Sequence, residues 1–371
     1  MRPFVCGCIA FIKKEVVLCA AAFLALLSLF FVPPSGATLS YIDWDTLAQL
    51  FSLMAVMKGF QRAGLFLYLG NRLLHSTATT RKMLLVLVLL PFAFSMVITN
   101  DVALLTFVPL GITVLRMAKQ ERLLVPMVVL QTVAANLGSM LTPMGNPQNL
   151  YLYAQSGLGF GDFCLLTLPY VLISGGCLAV LAAARKSAPV ARLKVPVRLE
   201  SPRSLLCCAL GFLLCLLGLF QVVPPLVVAA VTAAFLLIKD RRLLAAVDYS
   251  LLGTFAAFFI FVGNLGCVGA FRDFLASVLT GRVELVAVLT SQVISNVPAA
   301  LLLSGFTDQW RELVVGCNLG GLGTLIASMA SLISYKMVAK EYPSRCRQYI
   351  AWFTLCNLGL LGLLLLVSAV I

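Results

Sequence analysis

The chain has 371 residues, of which 61% are hydrophobic and only 11% are charged. Because soluble domains carry about a quarter charged residues, this composition excludes a water-soluble globular protein and predicts a membrane protein. The formal net charge of +13 does not indicate a nucleic-acid-binding protein, since the bases recur in short clusters between apolar runs. We therefore expect contact with membrane lipid and none with nucleic acid.

The apolar runs are long enough to cross a bilayer, for which a helix needs about 20 residues. They lack the alternation of barrel strands, so the predicted class is an all-α polytopic membrane protein. About nine transmembrane helices are predicted, in chain order at Val16–Val32, Trp44–Met57, Leu123–Ala154, Phe163–Ala184, Leu205–Val223, Leu226–Ile238, Leu251–Cys267, Leu313–Tyr335 and Ile350–Ile371. After the second of these, Leu65–Leu74 is predicted to form a helix along the cytoplasmic membrane surface.

Two further segments are predicted to be re-entrant helical hairpins, which enter and leave the membrane on one side. Residues 83–115 carry Asp101 as their only charge, and residues 285–306 contain Ser-Asn-Val-Pro at their middle. About ten residues on either side of Asn296 make roughly 15 Å of helix per arm, which is half a bilayer.

This topology places all but three of the 27 Lys and Arg residues in the cytoplasm, the exceptions being Arg272, Arg282 and Arg311. Such a bias agrees with the positive-inside rule. We therefore predict a multi-pass protein of the cytoplasmic (inner) membrane, with its N-terminus inside and its C-terminus, Ile371, outside.

The two halves of the chain resemble each other in order. Ile42–Trp44 matches Val247–Tyr249, Ser95–Asn100 matches Ser291–Asn296, and Gly138 is paired with Gly323. Because an odd number of predicted crossings separates the matched elements, the sequence predicts an inverted-topology repeat. The predicted first repeat is 1–184, with a hairpin at 83–115 and a broken helix at 123–154. A cytoplasmic linker at 185–203 precedes the second repeat, 204–371, with a hairpin at 285–306 and a broken helix at 313–335.

Both broken helices are predicted from residues that interrupt an apolar run. Gly138–Asn149 contains two prolines, two glycines and three side-chain amides, which cannot continue a regular helix in hydrocarbon. Irregular backbone at this depth occurs against protein or a water-filled cavity, where helix ends bind ions. A packing face with a proline kink is the alternative for a lone Gly or Pro, but the recurrence at Gly320–Ser331 favours a binding site.

The hairpin tips, Thr99-Asn100-Asp101 and Ser295-Asn296-Val297, offer hydroxyls and amides that suit a small hard cation or an oxygen-rich anion, although such residues also cap helices. The Asp101 carboxylate is costly deep in a membrane, so it marks proton uptake or cation binding. Phosphate-binding loops, paired catalytic carboxylates and metal-ligand spacings are absent from the sequence, which argues against an enzyme and an ATP-driven pump.

At these motifs the chain resembles the citrate-transporter-like branch of the ion transporter superfamily, which is related to divalent-anion:sodium symporters, arsenite permeases and sodium/proton antiporters. The resemblance covers nearly the whole chain and rests on ITNDVALL and ISNVPAALL at the tips and on GSMLTPMGNPQN and GGLGTLIASMAS in the broken helices. It implies transport by alternating access. In the anion:sodium symporters each tip reads Ser-Asn-Thr, and tips and broken helices together hold substrate carboxylates and sodium.

Carried to the matching positions, the resemblance implies two half-sites. The first comprises Thr99, Asn100, Ser139, Thr142 and Gly145, which we extend with Asp101, Pro143 and Asn146 of the same motifs. The second comprises Ser295, Asn296, Thr324, Ser328 and Ser331. Sodium is expected at Asn100, Gly145, Asn296 and Ser328, and no other cofactor is expected.

Two departures from the family pattern leave two hypotheses open, because Asp101 and Val297 replace the third tip residue. The first hypothesis is transport of a small anion, a carboxylate or an inorganic oxyanion, coupled to sodium or protons. The alternative is sodium/proton antiport or arsenite-type metalloid efflux, with Asp101 as the carrier. The sequence leaves substrate, coupling ion, direction and oligomeric state open, and a homodimer is one of the assemblies it allows.

Overall fold

The computed structural model describes residue 11 and residues 15–75, 77–184, 187–190 and 196–371. Within these residues the chain forms 18 α-helices and short 3₁₀ turns, and no strand beyond an isolated bridge between Thr79 and Pro189. The all-α class is therefore confirmed. Lys13 and Lys14, and residues 185–186 and 191–195 of the linker, lie outside the described residues.

The helices of the first half are α1 (Val16–Ser28), α2 (Trp44–Arg62), α3 (Leu65–Leu74), α4 (Thr80–Phe94), α5 (Asn100–Met117), α6 (Leu124–Gly138), α7 (Pro147–Ser156) and α8 (Phe160–Ala183). Those of the second half are α9 (Pro202–Leu219), α10 (Pro225–Lys239), α11 (Arg241–Ala245), α12 (Tyr249–Gly266), α13 (Gly269–Leu279), α14 (Val283–Ile294), α15 (Asn296–Ser304), α16 (Trp310–Leu319), α17 (Met329–Glu341) and α18 (Cys346–Ser368).

The number of helices that can cross a membrane is smaller than predicted. In the described part of the chain six helical segments are long and apolar enough, and the number rises to eight if the bent pairs α2–α3 (52°) and α13–α14 (113°) each count as one span. The chain is thus a polytopic membrane protein. Two predicted spans, α1 and α10, have only 13 and 15 residues, whereas α5, a predicted hairpin arm, is among the six.

The two hairpins turn where predicted but differ in length. In each, the second arm begins at the tip asparagine, Asn100 in α5 and Asn296 in α15. The arms of the second hairpin, α14 and α15, have 12 and 9 residues, or about 18 and 14 Å, as a re-entrant hairpin requires. Those of the first, α4 and α5, have 15 and 18 residues, or about 22 and 27 Å, close to a full span.

Both predicted broken helices are confirmed. In the first, α6 gives way to the 3₁₀ turns Ser139–Leu141 and Pro143–Gly145 before α7 begins. In the second, residues 320–328 are not helical and separate α16 from α17. The predicted helix at Leu65–Leu74 is present as α3 with the same bounds. We call residues 139–146 the first break and residues 320–328 the second break.

The packing around the breaks keeps the same pattern when the two halves are exchanged. Each hairpin packs on its own broken helix, α4 and α5 on α6, and α14 and α15 on α16. Each second arm also crosses to the other half, since α5 contacts α17 and α15 contacts α7. The helix before each break packs on the helix after the other break, α6 on α17 and α16 on α7. The repeat boundaries themselves stay a prediction.

The structure corrects the register between the two breaks. Asn136–Gly138 ends α6, and the identical triplet Asn318–Gly320 covers the end of α16 and its C-cap. The starts of α7 and α17 follow at equal distances, so Gly138 corresponds to Gly320 and Thr142 to Thr324. The pairing of Gly138 with Gly323 is wrong by three residues, because similarity of small residues alone did not locate the helix ends.

Candidate substrate and ion site

Asn136, in the last turn of α6, joins the first hairpin to the second broken helix. Its Oδ1 accepts hydrogen bonds from Asn100 Nδ2 and from the Ser328 hydroxyl, each at 3.0 Å. Its Nδ2 donates to Ser331 Oγ at 3.3 Å and to the Gly321 carbonyl oxygen at 3.5 Å. One buried amide therefore connects a hairpin tip of the first half with both ends of the second break.

Asn318 makes the corresponding connection from the second half. Its Nδ2 donates to Asn149 Oδ1 at 2.7 Å, and Asn149 Nδ2 in turn donates to the carbonyl oxygens of Ser139 at 3.2 Å and Thr142 at 3.5 Å. Asn149 is the third residue of α7, as Ser331 is the third residue of α17. The two asparagines therefore tie the broken helices to each other reciprocally.

Neither asparagine was identified from the sequence. The available signal was the Asn-Leu-Gly triplet that precedes each break. The same triplet begins at Asn357, inside α18, and at Asn264, at the end of α12 and outside the site, so it does not identify the site without the structure.

The second hairpin tip also contacts the second break. The backbone N–H of Asn296 donates to the Ala327 carbonyl oxygen at 3.0 Å, and the Ser295 hydroxyl donates to the same oxygen at 3.4 Å. A Cβ at Gly321 would lie 3.0 Å from Asn296 Nδ2. Asn296 thus contacts the second break directly and Asn100 contacts it through Asn136, so both predicted tips converge on one segment.

The two threonines of the breaks fix the breaks to the hairpins. Thr142 donates its hydroxyl hydrogen to the Met96 carbonyl oxygen, and Thr324 donates to the Gln292 carbonyl oxygen at 3.2 Å. Met96 and Gln292 each lie four residues before the tip asparagine. The Thr324 side chain is exposed, and its hydroxyl group holds the backbone of the second break through this hydrogen bond. The role of Thr324 as a ligand stays a prediction.

The remaining predicted residues of the first break pack tightly together. The Ser139 hydroxyl donates to the Asn136 carbonyl oxygen at 2.8 Å and accepts from Asn146 Nδ2 at 2.6 Å. A side chain at Gly145 would overlap the Ser139 carbonyl oxygen, so this position requires glycine. Pro143 is buried and starts the second 3₁₀ turn.

Asp101 follows the tip asparagine and has an unsatisfied carboxylate oxygen. Its backbone N–H donates to Asn100 Oδ1 at 2.9 Å, whereas its own Oδ1 is buried without a hydrogen-bond partner among the described residues. The side-chain oxygens of Asn146 and Asn318 are buried and unpartnered in the same way. Buried polar atoms are normally hydrogen-bonded, so these three oxygens have the capacity to accept a further donor or an oxygen-binding cation.

Two cavities of the described structure lie outside this cluster. One, of about 420 Å³, is lined by α2, α7 and the turn between α9 and α10. The other, of about 550 Å³, lies between α2, α9 and α10. None of the predicted site residues lines either of these two cavities.

Comparisons with known proteins agree with this architecture. A sequence model of the family described as citrate transporter matches residues 7–308. The chain is similar to the inner membrane protein YbiR of Escherichia coli K12, with 33% identity over 318 residues, 83% of this chain and 84% of that protein. It is 31% identical over 299 residues to an uncharacterized transporter of Methanocaldococcus jannaschii, covering 80% and 81%. A silicon efflux transporter of rice is 30% identical over 152 residues, 41% of this chain and 31% of that protein.

Proposed function

The chain belongs to the citrate transporter family, and from that membership we propose that it is a secondary active transporter of a small anion, coupled to sodium or protons. The anion is a carboxylate or an inorganic oxyanion. It crosses the cytoplasmic membrane by alternating access, as the hairpin tips and breaks rearrange against the other helices.

The observation that carries the coupling part of this proposal is the unpartnered Oδ1 of Asp101. A buried carboxylate oxygen without a donor is unfavourable unless the group binds a proton or a cation. Asp101 is adjacent to Asn100, which reaches the second break through Asn136. Binding of a proton or sodium at Asp101 would therefore change the strength of the contact between the two halves, as coupled transport requires.

The anion part of the proposal is supported by the helix N-termini that meet at the second break. The helices α15 and α17 begin there, and neither has an acidic residue in its first turn. A helix N-terminus carries about half a positive charge and favours an anion. The first turn of α5, in contrast, contains Asp101. We therefore place the cation or proton near the first tip and the anion near the second.

The second candidate function is sodium/proton antiport or metalloid efflux, with Asp101 as the carrier. It is favoured by the acid at the first tip and by the similarity to the silicon efflux transporter of rice. In sodium/proton antiport the second half-site would bind no anion. In metalloid efflux it would bind a neutral metalloid acid.

The test is transport by the purified protein in proteoliposomes, with candidate anions supplied under imposed sodium or proton gradients. We expect gradient-driven uptake of at least one anion. The variant Asp101→Asn keeps the shape of the side chain and removes its charge, so it should lower this uptake by about tenfold or more, which corresponds to about 1.4 kcal/mol. Proton movement on addition of sodium alone would select the antiport alternative.

The matched control is Asp162→Asn, the same change at an exposed acid in the first turn of α8, outside the tips and breaks. It should keep uptake within about twofold, since substitutions of exposed residues away from a functional site usually cost about 0.5 kcal/mol or less. Thermal melting of both variants verifies that they fold. Unchanged uptake rate and ion dependence in Asp101→Asn would refute a coupling role for Asp101.

A further inference from the structure

The cavity of about 550 Å³ is a groove between α9 and α10 with α2 as its floor. Both helices pack on α2, and glycines bring α9 close to it: a Cβ at Gly59 would lie 2.9 Å from Cys208 Sγ, and one at Gly211 would lie 3.1 Å from Val56 Cγ2. We call this cavity the α9–α10 groove. Its wall is apolar along most of its length, with Val56, Leu210, Leu214, Val231, Phe235 and Leu236.

The charged residues of the α9–α10 groove are gathered near its end at Arg62. They are three bases and two acids, namely Arg62, Arg203, Lys239, Glu200 and Asp240. Asp240 forms an ion pair with Arg62, in which Arg62 Nη1 lies 2.6 Å from Asp240 Oδ2. Arg203 and Lys239 form no ion pair within the described part of the chain and are exposed. With three bases and two acids in its lining, this end of the groove has an excess of positive charge, and Arg241 and Arg242 follow it in the chain.

Part of the apolar lining is itself exposed. Leu210 on α9 and Val231 and Phe235 on α10 are 57%, 49% and 42% exposed, so the groove presents hydrocarbon to the bilayer. An apolar groove that opens to lipid and ends in unpaired bases is complementary to a molecule with acyl chains and an anionic headgroup.

We propose that the α9–α10 groove is a binding site for an anionic phospholipid. The phosphate lies between Arg203 and Lys239, and an acyl chain lies between α9 and α10 against Phe235. This site shares no residue with the tips and breaks, so it is independent of the proposed transport function.

The experiment is native mass spectrometry of the full-length protein in detergent, titrated with phosphatidylglycerol or with phosphatidylcholine of the same acyl chains. Wild-type protein should retain phosphatidylglycerol preferentially. The double variant Arg203→Gln/Lys239→Gln should reduce that retention by about tenfold or more, since each base near an anionic headgroup contributes about 1 kcal/mol. The matched control Lys336→Gln/Lys340→Gln removes two exposed charges from α17 and should retain phosphatidylglycerol as the wild type does.

A second variant, Leu210→Trp, leaves the bases intact and fills the groove, so it should also lose the lipid; it tests the proposal if the double variant does not fold. Equal retention of the two lipids would overturn the proposal, because it would mean that only hydrocarbon is recognised. An equal loss of phosphatidylglycerol in the α17 control would also overturn the proposal. So would displacement of the lipid by millimolar inorganic phosphate, or occupation of the groove by a second copy of the chain.

Discussion

The two hairpin tips are joined to the same break, the second directly and the first through Asn136, but they differ in charge and in bonding. The first tip carries Asp101, with an unpartnered buried oxygen, where the second carries the apolar Val297. The side-chain amide of Asn100 donates to Asn136, which in turn contacts the second break, whereas the backbone N–H of Asn296 donates to the break itself. The two tips therefore turn at corresponding positions, but the residue after the tip asparagine is acidic in the first tip and apolar in the second. For this reason we place the coupling ion near the first tip.

The contacts that support the tips are, in contrast, alike in both halves. Gly138 lies against Ser95 as Gly320 lies against Ser291, and both threonine bonds end on a carbonyl four residues before the tip asparagine. The halves thus share a backbone framework. The following predictions test how far the equivalence of this framework extends.

The largest expected effect comes from an added methyl group at the two helix-ending glycines. A Cβ at Gly138 would overlap the Phe92 carbonyl oxygen, which is backbone and cannot move away. At Gly320 the nearest atoms are the Ser291 hydroxyl oxygen at 2.5 Å, which a side-chain rotation can displace, and Ser291 Cβ at 2.7 Å and the Gly316 carbonyl oxygen at 2.8 Å, which it cannot. These fixed contacts are longer than the one with the Phe92 carbonyl oxygen at Gly138. Gly138→Ala should therefore destabilise the protein by about 3 kcal/mol and Gly320→Ala by about 2 kcal/mol.

Thermal melting of the two purified variants in detergent, beside the wild type, measures this difference. Equal losses would mean that the two breaks are packed with the same rigidity.

A smaller effect is expected from the reciprocal asparagines. Asn136→Ala leaves the donors of Asn100 and Ser328 without their acceptor and should cost about 2–3 kcal/mol. Asn318→Ala leaves one cross-helix acceptor, Asn149 Oδ1, unpaired and should cost about 1 kcal/mol. Melting measures the cost, and uptake in proteoliposomes should fall more in the first variant. The reverse order in both measurements would show that the second half, and not the first, holds the broken helices together.

The smallest effect is expected for an ion pair outside both half-sites, Arg62 with Asp240. Its side chains are 43% and 28% exposed, so Asp240→Asn should cost at most about 1 kcal/mol. Burial raises the pKa of Asp240, but the hydrogen bond and charge of Arg62, together with the backbone N–H groups of Arg242 and Leu243, hold the pKa below its usual range. The ion pair therefore stabilises the folded protein at pH values above the pKa of Asp240 in the unfolded chain, which is about 3.9. This stabilisation is lost as the pH falls through the lower pKa of Asp240 in the folded protein.

Melting curves of wild type and Asp240→Asn should accordingly keep a constant small difference between about pH 5 and 8 and converge below about pH 4. A difference that changes near pH 7 would indicate that another group titrates with the pair.

Local signals in the sequence predicted much of the fold. Proline, glycine and amide clusters located both breaks, tip asparagines located both hairpin turns, and α3 was predicted with its observed bounds. Lengths were less predictable, since α5 and α4 exceed half a bilayer while α1 and α10 fall short of a span. Apolar composition marks a run as membrane-embedded but does not say where its helix starts and ends.

The sequence by itself determined the membrane class and the helical breaks, because each depends on composition or on residues within a few positions of one another. Only the tertiary structure decided that Asn136 contacts Ser331, 195 positions away, and that Asn318 contacts Asn149, 169 positions away. Such contacts depend on how inverted halves pack, and one asparagine in an apolar helix has the same local sequence signal whether or not a partner faces it. For that reason the residues that join the two half-sites became visible only in the folded chain.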